Sequence, residues 1–476
     1  MSHDRLPRVI LGLALALSLA VLAAHPRVRA LERRLGVTVL ISAGIPFLAI
    51  GAIFRLPDVG VLTNDILTDL QPAFEFGLGW IGFVVGMQFD VRSIDNMPAG
   101  VSSVVAMETV VPVLTTACLC ALAYFNLGVP FTNVDFVRDA LVLAACAAPS
   151  APIAAEVWAP RIGARPARLV EEVTRIDEVM ALVLLGVVAI FFRPPGESTL
   201  WRLPSASAWL LVSLGLGVVL GIITYVLIRG AKSASEELAM LLGAVALSAG
   251  IAGYLALSVP VVCAIAGALL ANLPMRDKKG FEQVLIDVER PLYLIFLVVV
   301  GASWHPTEWQ GWVLAPAFVL ARVAGKRLGA IWATRLKLHP DLPSARHLAI
   351  ALAPQSPIAI VAIVSAATLY RGYHSDRVRW AINAVIIGGV LTEVVVRILE
   401  RRGKNALVTP LPIPAPRSSG SLNPPIALPG MAETTKQRLS APVAATAPAH
   451  VDPTPERAER VDPVANVATV AGEPTP

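Results

Sequence analysis

Ala148-Pro149-Ser150-Ala151-Pro152-Ile153-Ala154 recurs in the second half of the chain as Ala353-Pro354-Gln355-Ser356-Pro357-Ile358-Ala359. Each copy interrupts a long apolar stretch, near 138–158 and near 347–370. Two prolines three residues apart remove two backbone donors and clash with the preceding turn, so both helices are predicted to break there. At membrane depth a broken backbone is tolerated only where it is buried in protein or lines a cavity. Matched interruptions in two halves of one chain point to a substrate site between inverted repeats.

A second, fainter correspondence runs the same way. Residues 44–90 and 258–306 share the order apolar run, short polar link, apolar run, glycine and polar exit. Pro46 answers to Pro260 and Gly86 to Gly301.

Composition sets the surroundings. The 476 residues are 55% hydrophobic and 15% charged, with mean hydropathy +0.68, whereas soluble domains carry about 25% charged residues. This is an all-α polytopic membrane protein, with the lipid bilayer as its first partner. Apolar stretches fall near 8–24, 36–54, 69–89, 99–125, 138–158, 169–192, 207–228, 237–253, 257–273, 289–303, 312–335, 347–370 and 378–399, about 13 transmembrane helices. Basic residues collect in alternate loops, among them Arg27, Arg29, Arg33, Arg34, Arg161, Arg165, Arg168, Lys278, Lys279, Arg335 and Lys337. By the positive-inside rule those loops are cytoplasmic, the N-terminus is outside and the C-terminus inside. The net charge of +5 is thus a matter of topology, and no nucleic-acid partner is implied. Cys118, Cys120, Cys146 and Cys263 lie within spans and read as small apolar residues. No nucleotide-binding loop, catalytic motif, metal site or cofactor motif appears, so the chain is not expected to be an enzyme or a pump. Residues 1–404 form one transmembrane domain; 405–476, rich in Pro and Ala, read as a disordered cytoplasmic tail.

Inside the sixth stretch, Leu169–Phe192, two adjacent carboxylates, Asp177 and Glu178, precede an apolar run from Val179 to Phe192. That run is too short to cross a hydrocarbon core about 30 Å thick, so the helix must draw both carboxylates into the membrane. A helix of about 20 residues ending at Phe192 puts Glu178 roughly 8 Å inside the cytoplasmic boundary. Intramembrane carboxylates are costly and mark ion or proton pathways. As neighbours on a helix they diverge by about 100°. Arg175 lies between Glu171 and Glu178 at helical spacing, so neutralisation of Glu178 by Arg175 is the competing reading. Ser150, Gln355 and Ser356 offer neutral oxygens at the breaks, either as ligands or as local caps. Glu108, Asn383 and Lys326 are accessory candidates: Glu108 to line a cavity or shuttle protons, Asn383 to bond between helices, Lys326 to balance the negative charge or to hold a carbonyl.

These motifs, in this order, resemble those of the monovalent cation:proton antiporters of the bacterial sodium/hydrogen exchanger type. GLGWIGFVVGMQFDVRSI (77–94), VTRIDEVMALVLL (173–185), LSVPVVCAIAGALLANL (257–273) and LARVAGKRLGAIWATRL (320–336) carry the resemblance, which runs from about 36 to 400. It implies two crossed broken helices in a core that moves against a dimerisation domain, a homodimer, a bacterial inner membrane, and exchange of Na⁺ or K⁺ for protons. Glu178 stands where the family's ion-binding Asp stands. Ala148-Pro149-Ser150 replaces a sequence that often carries an Asp, so this site is one carboxylate poorer. The family's mid-helix basic residue has no counterpart in 289–303; Arg322 and Lys326 lie in the following span. Two other readings stay open: a sodium-coupled organic anion symporter of similar fold, and a membrane sensor that does not transport.

Overall fold

The computed structural model describes residues 45–56, 62, 64–95, 97–131, 134–193, 206–274, 278–370 and 375–404. The expected span at 8–24, the first part of 36–54 and the tail 405–476 lie outside the described residues. The described regular structure is helical: α1 (Ile45–Arg55), α2 (Asn64–Asp69), α3 (Gln71–Met87), α4 (Val91–Asp95), α5 (Val101–Asn126), α6 (Val134–Ala147), α7 (Ile153–Ile162), α8 (Ala164–Phe191), α9 (Ala206–Gly230), α10 (Ala234–Tyr254), α11 (Val259–Asn272), α12 (Lys278–Ser303), α13 (Trp309–Arg335), α14 (Ala345–Ala351), α15 (Ile358–Leu369) and α16 (Ser375–Lys404).

Two groups of helices pack mainly within themselves. One is a scaffold of α1, α3 and α9 to α12; the other is a core of α5 to α8 and α13 to α16. They meet where α8 and α15 pass α3 and α11. By length and composition, α5, α9 and residues Ser235–Tyr254 of α10 suffice to cross a membrane. Other spans fall short of that simple criterion for a physical reason: α6/α7 and α14/α15 are split by the proline breaks, and α8 and α13 carry charges.

The scaffold bears out the fainter repeat. A Cβ on Gly86 of α3 would lie 2.0 Å from the Ala264 carbonyl of α11, and one on Gly301 of α12 would lie 2.1 Å from the Leu48 carbonyl of α1. The reciprocal contacts are equally tight, Gly267 of α11 at 2.2 Å from the Phe83 carbonyl and Gly51 of α1 at 1.9 Å from that of Val298. Each repeat's first helix therefore lies against the other repeat's second helix, backbone to backbone. Without a hydrophobic force between helices in lipid, such close approach of small residues is what holds them together.

In the core, Gly325 and Gly329 of α13 play the same part against α5, where a Cβ would meet Thr115 Oγ1 at 2.3 Å and the Met107 carbonyl at 3.1 Å. The close approach brings Arg322 and Lys326, four residues apart on one face of α13, into the middle of the core.

Candidate ion site at the crossed helix breaks

The two broken helices cross and bond to each other. Ser150 and Gln355 form an isolated antiparallel bridge. The Ala151 amide donates to the Pro354 carbonyl at 2.9 Å, and the Ser356 amide to the Pro149 carbonyl at 3.2 Å. Each proline break thus supplies the other with partners for part of what it lost.

Arg322 supplies more. Its Nε donates to the Ala353 carbonyl at 3.3 Å, Nη1 to that of Ala147, and Nη2 to those of Pro149 at 2.9 Å and Pro354 at 3.0 Å. These carbonyls lie at or just beyond the C-terminal ends of α6 and α14, where two partial negative charges converge. A fully buried guanidinium with a planar fork of donors suits that double end.

Asp177 and Glu178 project from α8 in different directions, as adjacent helical residues must. Asp177 is fully buried and faces α5 and α13. It accepts from Lys326 Nζ at 2.7 Å, Thr109 Oγ1 at 2.6 Å and Ser150 Oγ at 3.3 Å. Lys326, also fully buried, donates to the Glu108 carbonyl at 2.8 Å as well. Glu178 is 5% exposed and faces the second break, where Ser356 Oγ donates to Oε1 at 2.5 Å. Ser356 Oγ in turn caps the Ile358 amide at 3.1 Å, so this hydroxyl serves both as a cap and as a carboxylate partner. The Gln355 side chain is buried with neither Oε1 nor Nε2 hydrogen-bonded among the described residues.

The crossing therefore brings together Asp177, Glu178, Ser150, Gln355, Ser356, Lys326 and Glu108. It does not include Arg175, which is exposed and pairs with Glu171 at 2.7 Å. Neutralisation of Glu178 by Arg175 is thereby corrected: Arg175 lies with Glu171 on the exposed side of α8, whereas Glu178 in the same stretch turns to the second break. The helix also begins earlier than expected, at Ala164. Asn383 is buried on α16, where its Nδ2 donates to the His305 carbonyl at 2.9 Å, tying that helix to the loop after α12. Two residues of the site were not among the expected site residues. Thr109 had a signal, a hydroxyl beside Glu108 in an apolar run; Arg322, noted only for lying in the span after 289–303, had one in its four-residue spacing from Lys326.

Beside that loop, a cavity of about 270 Å³ opens between scaffold and core, lined by Phe74, Val300, His305, Val364, Ala367 and Arg379 among others. His305 Nδ1 bonds to the Ser303 carbonyl at 2.8 Å, and Arg55 Nη2 donates to Nε2 at 2.7 Å. Burial, reinforced by the Arg55 charge, holds the His305 pKa below its usual value.

The sequence profile of the family described as "Sodium/hydrogen exchanger, transmembrane" matches residues 9–399. The chain belongs to the sodium/hydrogen exchanger family, membrane transporters that exchange cations for protons. The fold is similar to that of the sodium proton antiporter MjNhaP1 from Methanocaldococcus jannaschii at pH 8: TM-score 0.58 at 18% identity, over 84% of this chain and 98% of that one. A second structure of that antiporter, from an electron-microscopy map, aligns over 83% of this chain and 95% of its own, with TM-score 0.49 and 18% identity. No curated protein sequence matches the chain.

Proposed function

We propose that the chain exchanges Na⁺ or K⁺ for protons at the Asp177–Glu178 pair, with alternating access to the two sides of the membrane. The observation that carries this is the pair's placement: two buried carboxylates at the crossing of two broken helices, one neutralised by Lys326 and the other held by a hydroxyl. Burial disfavours the ionised form and a neighbouring ammonium favours it, so small changes in surroundings move the pair between protonated and cation-binding states. Glu178, the more accessible of the two, meets the cation first. Ser356, Ser150 and the amide oxygen of Gln355 complete a shell of oxygens, as suits a hard monovalent cation. Cation binding between the two carboxylates draws Asp177 away from Lys326; when the cation leaves, a proton is taken up at Glu178 and Lys326 returns to the Asp177 carboxylate. Proton and cation thus exclude one another, which is the basis of exchange.

Alternate clusters of Lys and Arg along the chain support an external N-terminus and a cytoplasmic C-terminus. The resemblance to bacterial-type exchangers supports an inner-membrane setting. A homodimer through the scaffold accords with the exposed apolar side chains of α9, including Leu211, Val219 and Val226.

The test is reconstitution of the purified protein in liposomes with an imposed pH gradient, followed by additions of Na⁺, Li⁺ or K⁺. Cation-driven proton movement that is lost in both Asp177→Asn and Glu178→Gln is expected. Full activity in both variants refutes the carboxylate mechanism, and silence with every cation refutes exchange.

A further inference from the structure

Glu108 is a buried carboxylate beside the crossing for which the exchange scheme has no use. It lies on α5, fully buried, and neither Oε1 nor Oε2 has a hydrogen-bond partner among the described residues. Native proteins rarely leave a buried carboxyl unpartnered, because the desolvation cost falls in full on the group. As an anion in that place it would cost several kcal/mol. The described arrangement is therefore that of the neutral acid.

Its position is specific. A Cβ on Gly329 of α13 would lie 3.3 Å from both Cδ and Oε1 of Glu108, so the glycine makes the notch in which the carboxyl sits. Gly329 is one helical turn from Lys326, whose ammonium already bonds to the Glu108 main-chain carbonyl. The charged groups in the electrostatic surroundings of the carboxyl are Lys326 and Arg322 on α13 and Asp177 on α8. Arg322 is committed to the carbonyls of the breaks, which leaves Lys326 as the cation able to move. Its flexible four-carbon stem permits the motion.

We propose that Glu108 is a second proton carrier of the exchanger, taking Lys326 as counter-ion whenever a transported cation displaces that ammonium from Asp177. The inference rests on the exchange reading given above. When the cation engages Asp177, the Lys326 ammonium loses its partner and turns to the Glu108 carboxyl. The Glu108 O–H bond breaks, its proton passes to water, and the carboxylate left behind pairs with the unchanged ammonium. On the return step a proton from water re-forms the O–H bond and Lys326 goes back to Asp177. This step taken by itself is neutral: one cation enters and one proton leaves through Glu108. Any proton given up by the Asp177–Glu178 pair itself is additional.

The experiment compares the parent protein with Glu108→Gln, a near-isosteric change, in liposomes where the proton-to-cation ratio is read from the membrane potential that just halts exchange. The expected result is a ratio lower by one proton per cation in the variant and a pH profile that has lost one titrating group. Infrared difference spectra of the parent on cation addition should show loss of a carboxylic-acid band and gain of a carboxylate band. That pair of bands shifts in frequency with Glu108→Asp. An unchanged ratio and profile in an active Glu108→Gln overturns the proposal. So does a parent spectrum without the acid band loss, which decides the matter even if the glutamine variant fails to fold. A parent that moves no protons with any cation refutes the exchange reading instead, and is distinguishable on that ground.

Discussion

Replacing Arg322 by lysine keeps one positive charge in the core and removes the fork. The guanidinium makes hydrogen bonds to four carbonyls, those of Ala147, Pro149, Ala353 and Pro354. Nη2 alone serves Pro149 and Pro354, so a lysine ammonium placed there retains those two and abandons the other two. Hydrogen bonds from a charged donor contribute about 1.5–3 kcal/mol each. The two lost bonds thus amount to about 3–6 kcal/mol, and coupling between neighbours brings the expected value to the low end, about 3 kcal/mol. Arg322→Met loses all four, leaves four carbonyls unsatisfied where water does not reach, and should not accumulate in the membrane. The assay is reversible unfolding of purified protein by sodium dodecyl sulfate in mixed micelles, followed by tryptophan fluorescence. Arg322→Lys unfolding within about 0.5 kcal/mol of the parent, the range of ordinary surface changes, would refute the view that this side chain joins the two breaks.

The Asp177–Lys326 pair, at 2.7 Å and fully buried, should behave as a unit. Asp177→Asn and Lys326→Gln alone each leave a buried charge unpaired and should cost about 3–5 kcal/mol, whereas the double variant should recover at least about 2 kcal/mol of the sum. Strict additivity in the unfolding assay would mean that the pair does not interact. Gly86→Ala and Gly301→Ala should each lose about 1–3 kcal/mol through overpacking. Gly215→Ala, with open space around it, serves as the neutral control; equal behaviour of all three would dismiss the mirrored contacts. For His305 the sign follows from its lowered pKa. The contribution of the neutral ring is complete above the unfolded value, about 6.5, and is lost as pH falls through the lower folded value. Melting temperature should therefore drop on acidification in the parent and less steeply in His305→Asn, and parallel curves would exclude the ring as the cause.

Much of this arrangement was legible beforehand, for identifiable reasons. The paired prolines could only break their helices, and the matching of Ala148–Ala154 to Ala353–Ala359 required two such breaks to find partners in the membrane. The crossing at Ser150 and Gln355 satisfies that requirement. Divergence of Asp177 and Glu178 follows from helical geometry alone. What periodicity does not reveal is which distant side chain completes a contact. Thr109 and Lys326 reach α8 from two helices and Ser356 from the second break, and nothing local in the sequence pairs them. Arg175 shows the converse. Its spacing fits both Glu171 and Glu178, and only the packing of α8 decides that one of these is at the surface and the other at the crossing.

The grip of Arg322 on both breaks has a consequence for how the polypeptide is made. Ala147 and Pro149 enter the bilayer early in synthesis, while Arg322, Pro354 and Ser356 leave the ribosome only when most of the chain has been inserted. Until then the first break has none of the donors described here for its carbonyls, and lipid provides none. The first repeat should therefore wait in a wetted or shielded state, and a polypeptide ending after α9 should be cleared by quality control rather than persist as half a transporter. Coexpression of the two halves as separate chains should rescue both, because the missing donors then arrive in trans.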